Sequence, residues 1–170
     1  MDLAAPLSPS PLIFRTFYDQ DDRYRVAGVS PMRFALFREN EVLCTYSPSS
    51  SGDCHVEYPT GDRLFVRCLR YPVSYALVAL ADRRPLGRID RSVSRLDVRV
   101  VRLATGLVAE DRWCRPSVFQ VQDAVGPLVE YGRRGAGVEL RSFSRALAAT
   151  EWHALIHLSM TRLWLSHLRG

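Results

Sequence analysis

The stretch "VELRSFSRALAATEWHALIHLSMTRLW", residues 138–164, decides the fold class because its periodicity changes along its length. Its first residues alternate between apolar and polar side chains, which is the pattern of a strand with one buried face. From Ala146 onward, apolar residues recur at steps of three and four, which is the pattern of an amphipathic helix. We therefore expect a last strand and then a helix over about residues 145–168, with Ser144 capping its first turn and Trp152 on its buried side.

Short strands account for most of the remaining sequence. Apolar and aromatic runs are separated by turn residues, for example "MRFALFREN" and "EVLCTYS" around Glu39 and Asn40. Pro85 and Gly87 in "DRRPLG" indicate another turn, and "YGRRGAG" reads as a hairpin turn. About eight to ten strands can be counted in this way. The sequence therefore predicts a mainly β (β-rich α+β) fold, a partly open antiparallel barrel of about seven or more strands closed by a C-terminal amphipathic helix.

Length and composition indicate a single domain. With 170 residues and 47% hydrophobic content the chain can bury one core, so we expect a flexible Pro/Ser-rich arm over residues 1–11 and one domain over residues 12–170. All 23 basic residues are arginine. A GC-rich coding sequence explains this bias, and so does a surface without amines for ubiquitin or acetyl groups; the sequence leaves both open.

The net charge of +5, carried by scattered arginines, favours an acidic partner. Phosphate, an anionic lipid headgroup, nucleic acid and an acidic protein all fit this charge. Nucleic acid is not expected, because the helical and glycine-aromatic signatures of common nucleic-acid modules are missing from the sequence.

The cysteines indicate a reducing compartment. None of them forms a C-x-x-C pair, and three lie in apolar or alternating segments where a reduced thiol acts as a small hydrophobe. The first residues do not read as a signal peptide, and no apolar run approaches the length of a transmembrane segment. We therefore expect a cytoplasmic protein. The cysteines are Cys44, Cys54, Cys68 and Cys114.

Over roughly residues 32–164, the order of elements resembles a pleckstrin-homology domain. In that family the last strand leads into a closing helix whose interior tryptophan packs into the barrel, and "VELRSFSRALAATEWHALI" is similar in this respect. "MRFALFRENEVLCTYSPSSSGD" resembles the family's second and third strands, "PLGRIDRSVSRLDVRVV" its fourth strand, and "CRPSVFQVQD" its fifth. The sequence departs from the pattern in the segment "CHVEYPTGDRLFVRCLRYPVSYALVALADR", which lies between the third and fourth matches.

This resemblance implies two uses of the fold. Some pleckstrin-homology domains bind inositol-phosphate headgroups through basic residues of the first two strands, which correspond here to Arg23, Arg25 and Arg33. Ala35 stands where the second residue of the family's basic pair belongs, so that pattern is incomplete. Because folds of this kind more often bind proteins when the basic pair is missing, protein binding is the leading interpretation.

A second group of arginines lies around the turn "DRRPLG". Convergent guanidinium groups there could hold an anion bidentately, whereas a solvated loop in an arginine-rich protein has the same composition. The group consists of Arg83, Arg84, Arg88 and Arg91.

A shorter resemblance connects "TEWHALIHLSM" with the head domains of centriolar cartwheel proteins. In those heads an aromatic residue at the position of Trp152 inserts into a neighbouring head and drives ring assembly. The resemblance implies a strand over residues 150–165 and an exposed Trp152.

Residues that could carry catalysis do not form a known constellation. His153 and His157 are four residues apart, which is the spacing of two zinc ligands on a helix, but the glutamate of a metalloprotease motif is missing between them. Cys54 and His55 are adjacent, so on a strand they point to opposite faces and cannot share a proton. We therefore expect no catalytic residues, no metal and no cofactor.

The end of the helix points to a partner. Met160, Trp164 and Leu168 lie on a side of the helix away from Trp152, and apolar residues on a second side indicate either a docking surface or a contact with the N-terminal arm. We expect a non-enzymatic protein-binding adaptor or subunit of a larger assembly that uses these residues, with Trp152 also at the interface if the chain self-associates. The alternatives are a phosphoinositide or membrane-targeting module and a self-assembling centriolar or cytoskeletal head domain.

Overall fold

The computed structural model describes residues 23–30, 32–70, 74–134 and 137–168, with the side chains of residues 30, 134 and 163–168 left undescribed. The predicted arm over residues 1–11 lies outside these ranges. Twelve strands and a helix, α1 (Ala149–Leu168), are present in the described residues. The strands are β1 (Arg23–Ser30), β2 (Arg33–Arg38), β3 (Glu41–Pro48), β4 (Cys54–Glu57), β5 (Arg63–Arg70), β6 (Ser74–Ala79), β7 (Pro85–Arg91), β8 (Arg99–Leu103), β9 (Val108–Arg115), β10 (Val118–Gln122), β11 (Pro127–Arg134) and β12 (Gly137–Ser142).

The strands form a closed antiparallel barrel in which each strand pairs with its neighbours in sequence. The first and last strands close it, with Tyr24 of β1 opposite Leu140 of β12. The predicted tight turn between β2 and β3 is confirmed, because Glu39 has a φ of 53° and Arg38 pairs with Glu41. A closed barrel leaves no unpaired edge strand, which removes the aggregation risk of an open sheet.

The mainly β prediction is confirmed, but the barrel is closed and twelve-stranded, not a partly open barrel of about seven strands. The turn predicted in "DRRPLG" is present between β6 and β7, but it lies before Pro85, since Pro85 and Gly87 already belong to β7. Pro85 is the first residue of that strand, where a missing backbone N–H is tolerated. Strand β9 was also missed, because its sequence "VAEDRWCR" is mostly charged and buries a carboxylate, Asp111.

The helix α1 fills the inside of the barrel. About eight strands leave an interior just wide enough for side chains, so a wider barrel requires something larger to fill it. Every side chain from residue 152 to residue 161 is buried. Over residues 152–161 the helix is therefore not amphipathic as predicted, because the barrel surrounds this part of α1 and leaves it no solvent face. The prediction that Trp152 packs into the barrel is confirmed.

The helix begins later than predicted, at Ala149. Its first turn is closed by Glu151, whose carboxylate accepts a hydrogen bond from the backbone N–H of Ala148 over 3.0 Å. The same side chain accepts a bond of 2.8 Å from the hydroxyl of Thr105, in the β8–β9 connection. The cap is thus formed at Ala148 and not at Ser144, and it fixes the helix to one end of the barrel.

The two ends of the barrel can be named from this helix. The entry end carries the connection from β12 into α1, together with the β2–β3, β4–β5, β6–β7, β8–β9 and β10–β11 connections. The far end carries the β1–β2, β3–β4, β5–β6, β7–β8, β9–β10 and β11–β12 connections. The helix runs toward the far end, because Thr161 accepts a hydrogen bond of 2.8 Å from Arg99, the first residue of β8.

Candidate binding surfaces

Exposed apolar side chains concentrate at the far end of the barrel. Trp113 near the end of β9 is 59% exposed, and Leu96 in the β7–β8 connection is 72% exposed. We call the exposed apolar residues of this end the far-end rim. The far-end rim consists of Val29, Met32, Leu69, Val93, Leu96 and Trp113.

The far-end rim is spread around the barrel mouth. Its members come from the β1–β2, β5–β6, β7–β8 and β9–β10 connections or the strand ends beside them. Large exposed apolar side chains at the entry end belong to other strands and turns and include no aromatic residue. They are Val42, Val108 and Val125.

Exposed arginines accompany the far-end rim. Arg95 pairs with Glu110 at 3.0 Å and Arg115 with Glu130 at 3.6 Å, and the other arginines of this group have no carboxylate partner among the described residues. The group consists of Arg70, Arg91, Arg95, Arg115 and Arg133. Six acidic side chains lie at the opposite, entry end. They are Glu39, Glu41, Asp62, Asp82, Asp123 and Glu151. Both ends carry charges of both signs, since Asp53 and Asp97 lie at the far end and Arg38, Arg63, Arg83 and Arg84 lie at the entry end.

A groove of about 320 Å³ lies on the outer wall where β9 to β12 and β1 meet. The groove lies over Gly132, where the chain comes very close to the β9–β10 turn. A Cβ on this residue would lie 2.2 Å from the backbone oxygen of Ser117. Glycine allows the β9–β10 turn, in which Ser117 has a φ of 63°, to fold against β11. The groove is lined by Arg23, Arg115, Val118, Glu130, Tyr131, Gly132, Arg133, Glu139 and Arg141.

Two carboxylates hold part of the groove in place. Glu139 pairs with Arg23 at 3.0 Å. Glu130 lies 3.6 Å from Arg115 and accepts a hydrogen bond of 3.0 Å from the amide of Gln120. The arginines outnumber the carboxylates in the lining, so the groove carries an excess of positive charge.

Two polar clusters connect α1 to the barrel wall from inside. In the first, the Tyr58 hydroxyl lies 2.7 Å from Nδ1 of His153 and 2.5 Å from Nε2 of His157, and the Tyr46 hydroxyl lies 3.0 Å from Nδ1 of His157. Burial lowers the pKa of His157 to about 3 and holds the pKa of His153 well below its usual value. Both rings are therefore neutral at pH 7 and serve as internal hydrogen-bonding groups.

The second cluster contains a buried ion pair. Arg99 donates to Asp111 over 2.6 Å and also to the backbone oxygen of Ser159 over 3.1 Å. The hydroxyl of Tyr131 donates to the same carboxylate over 2.6 Å. Burial opposes the charge of Arg99, but Asp111 more than offsets this and raises the pKa of the guanidinium group.

The arginines singled out from the sequence do not form one site. Arg23 lines the groove, whereas Arg25 stacks over Phe37 at 4.3 Å and Arg33 lies 3.9 Å from Glu57. The second group lies around β7, where Arg88 donates to Asp90 over 2.6 Å. In the order of the barrel, β1 and β7 are on opposite walls, so the two groups cannot hold one ligand. Arg83 and Arg84 lie in the β6–β7 connection at the entry end.

The predicted docking surface on the helix is wrong for two of its residues. Met160 and Trp152 are each 1% exposed, because the barrel encloses the part of α1 that contains them. The side chains of Trp164 and Leu168 lie outside the described residues. The structure also has a helix where the cartwheel resemblance implies a strand, and a buried residue where it implies an exposed Trp152.

Sequence reasoning missed the far-end rim and the groove. A signal for the rim exists in "RSVSRLD" and "DRWCR", where large apolar residues stand among arginines instead of alternating with them. No local signal marks the groove, because its lining is assembled from five different strands.

Several further observations concern catalysis and identity. Cys54 is buried and His55 is exposed, as expected for neighbours on a strand. Within the described residues, no group of three or more His, Cys, Asp or Glu side chains is placed to hold a metal ion. No helix among them is both long and apolar enough to span a bilayer.

In comparisons with known proteins, no family model matches the sequence and no curated protein is similar to it. The pleckstrin-homology resemblance stays a prediction.

Proposed function

We propose that this chain is a non-enzymatic binding module that docks its far end onto an anionic membrane surface. The observation that carries this proposal is the coincidence of the far-end rim with the exposed arginines at one end of the barrel. The membrane-targeting alternative from the sequence is thus preferred over the protein-binding adaptor, and it acts through different residues.

The arrangement of the far-end rim favours binding to a flat surface such as a bilayer. A protein interface has a contiguous apolar core, whereas Met32, Leu69, Leu96 and Trp113 project from separate connections around the barrel mouth. Separate tips in one ring can all enter the interface of a bilayer together. Tryptophan suits that position because its ring is apolar and its N–H is polar.

The charge distribution favours the same orientation. Arginines near a membrane with anionic lipids each contribute about 1 kcal/mol, and burying one large apolar side chain contributes roughly 1.5–3 kcal/mol. Arg70, Arg91 and Arg133 are exposed at the far end and have no carboxylate partner among the described residues, so they can face the anionic lipids beside the far-end rim. Several contributions of this size give reversible binding that weakens with salt.

Groups with catalytic potential in the core have no access to a substrate. His153 and His157 are enclosed between α1 and the barrel wall, and their ring nitrogens are engaged by Tyr46 and Tyr58. This supports a binding role for the module.

The test is co-sedimentation with vesicles of phosphatidylcholine alone and with roughly a third phosphatidylserine, in low and high salt. We expect binding to the anionic vesicles, lost in the double variant Trp113→Ser, Leu96→Ser and retained in the entry-end control Val108→Ser, Val125→Ser. The charge variant Arg70→Glu, Arg91→Glu should also lose binding, whereas Arg63→Glu at the entry end should not.

Two results would contradict the proposal. Equal loss in the rim variant and the entry-end control would show that the far end is not the contact surface. A chain that ignores all vesicles but self-associates in sedimentation equilibrium, in a manner abolished by Trp113→Ser, would instead assign the rim to an interface between copies.

A further inference from the structure

We propose that the groove over Gly132 binds a small phosphomonoester that also carries hydroxyl groups. This inference does not depend on membrane docking, because the groove lies on the outer wall and the rim lies at the mouth. Its residues differ from the arginines that the pleckstrin-homology resemblance implies, apart from Arg23.

The groove is built by the fold. Residue 132 must be glycine for the β9–β10 turn to lie against β11, because the Ser117 oxygen occupies the space of a Cβ. This turn forms one wall and carries Arg115 at its start. Strand β12 forms the opposite wall with Glu139 and Arg141, because Gly132 pairs directly with Glu139.

The charges of the groove fit an anion. Arg115 is held only loosely by the groove, since its guanidinium group lies 3.6 Å from Glu130. Arg141 lies over the ring of Phe143 at 4.8 Å, which orients its planar guanidinium group. Guanidinium groups from two walls can hold the terminal oxygens of a phosphate bidentately.

The carboxylates of the groove favour a ligand that carries hydrogen-bond donors next to its phosphate. Glu130 and Glu139 remain half-buried beside the arginines, and as ionised groups they accept hydrogen bonds and repel a second anion. Hydroxyl groups next to the phosphate would donate to them. A volume of about 320 Å³ is at the small end of ligand sites, which fits a compact polyol phosphate.

The experiment is a titration of the folded chain with glycerol 3-phosphate, followed by amide chemical shifts in nuclear magnetic resonance, with glycerol as the reference ligand. We expect shifts at β11, β12 and the β9–β10 turn with glycerol 3-phosphate and none with glycerol. The variant Arg141→Ala should raise the dissociation constant about tenfold or more, which is the usual effect of losing one charge-assisted hydrogen bond. Arg102→Ala, an exposed arginine of β8, should leave it unchanged.

Arg141 is half-buried on the outer wall and Arg102 is exposed, so neither substitution should unfold the protein. Absence of shifts in the groove would overturn the proposal, and so would equal weakening in the two variants, which would indicate unspecific attraction of an anion to arginine.

A second experiment distinguishes a soluble ligand from a lipid headgroup. Phosphatidic acid presents a phosphomonoester and phosphatidylglycerol a phosphodiester, so vesicles of the two lipids are compared at equal surface charge. Preference for phosphatidic acid that Arg141→Ala removes assigns the groove to a headgroup, whereas titration without such preference assigns it to a soluble phosphomonoester. Failure of all vesicle binding would contradict the proposed function and leave the titration result standing.

Discussion

The hydroxyl of Tyr58 lies 2.5 Å from Nε2 of His157 in the interior of the barrel, and the same hydroxyl lies 2.7 Å from Nδ1 of His153. A phenol has one proton, so it donates to one of these rings and accepts from the other. Tyr58 thereby links two successive turns of α1 to the barrel wall. The two imidazole rings that α1 brings into the core are thus hydrogen-bonded, which is what makes their burial tolerable.

Tyr58→Phe should destabilise the protein more than Tyr46→Phe. The first substitution leaves ring nitrogens of both His153 and His157 without this partner, and each buried unsatisfied group costs about 1–3 kcal/mol. The Tyr46 hydroxyl touches only one of the two rings, at 3.0 Å. Urea unfolding followed by circular dichroism measures the difference. Equal midpoints for the two variants would contradict the linking role of Tyr58.

Stability should fall as the pH drops below about 6.5, the ordinary pKa of histidine. The folded state keeps His157 neutral down to a pKa of about 3, and burial also lowers the pKa of His153, so protons bind preferentially to the unfolded chain. Both contributions are fully present above pH 6.5, and each is lost at about 1.4 kcal/mol per pH unit on acidification. Urea unfolding between pH 7 and pH 5 measures the slope.

The variant His157→Gln serves as the control for that slope. It removes one of the two titrating rings, so the loss of stability per pH unit should be about half that of the natural chain. The same slope in both proteins would mean that His157 does not cause the acid sensitivity.

Breaking the buried ion pair should cost far more than breaking an exposed one. Arg99→Met leaves the fully buried Asp111 carboxylate without its main cation, which typically costs about 3–5 kcal/mol. Arg95→Met removes a comparable pair with Glu110 on the surface, which is worth about 0–1 kcal/mol. Guanidinium unfolding of the two variants compares these costs. A similar loss in both would contradict the role of Arg99 as an internal support of α1.

Gly132→Ala should destabilise the barrel, whereas Gly28→Ala should change little. A Cβ at residue 132 would lie 2.2 Å from the Ser117 oxygen, and at residue 28 the nearest atom is 3.9 Å away. Overpacking of this kind costs about 1–3 kcal/mol, compared with about 0.5 kcal/mol or less for an ordinary surface change. Thermal unfolding distinguishes the two variants, and equal stability would mean that the β9–β10 turn can move away from β11 without cost.

The local sequence pattern was sufficient to predict those elements whose apolar residues recur with a clear strand or helix period. The change of period after residue 138 predicted the final strand and the following helix, and Trp152 was correctly placed in the barrel interior. The turn at Glu39 was predicted because the alternating segments beside it have a clear strand period.

The local sequence pattern gave wrong predictions for residues whose contacts are made with other elements of the folded barrel. Asp111 in β9 looked like a surface residue because its cation, Arg99, belongs to another strand, β8. Pro85 looked like a turn residue because sequence does not show that it starts a strand. The helix looked amphipathic because His153 and His157 are polar, and their partner Tyr58 is distant in sequence.

The sequence by itself determined a mainly β chain with a C-terminal helix carrying a buried tryptophan, because strand and helix periods are local properties of side-chain order. Only the tertiary structure decided that twelve strands close around that helix, and which side chains meet at the far-end rim and in the groove. Closure depends on pairing β1 with β12, and these strands are joined by no short turn. Contacts between residues so far apart in the chain leave no period in the sequence, so the binding surfaces become visible only in the folded barrel.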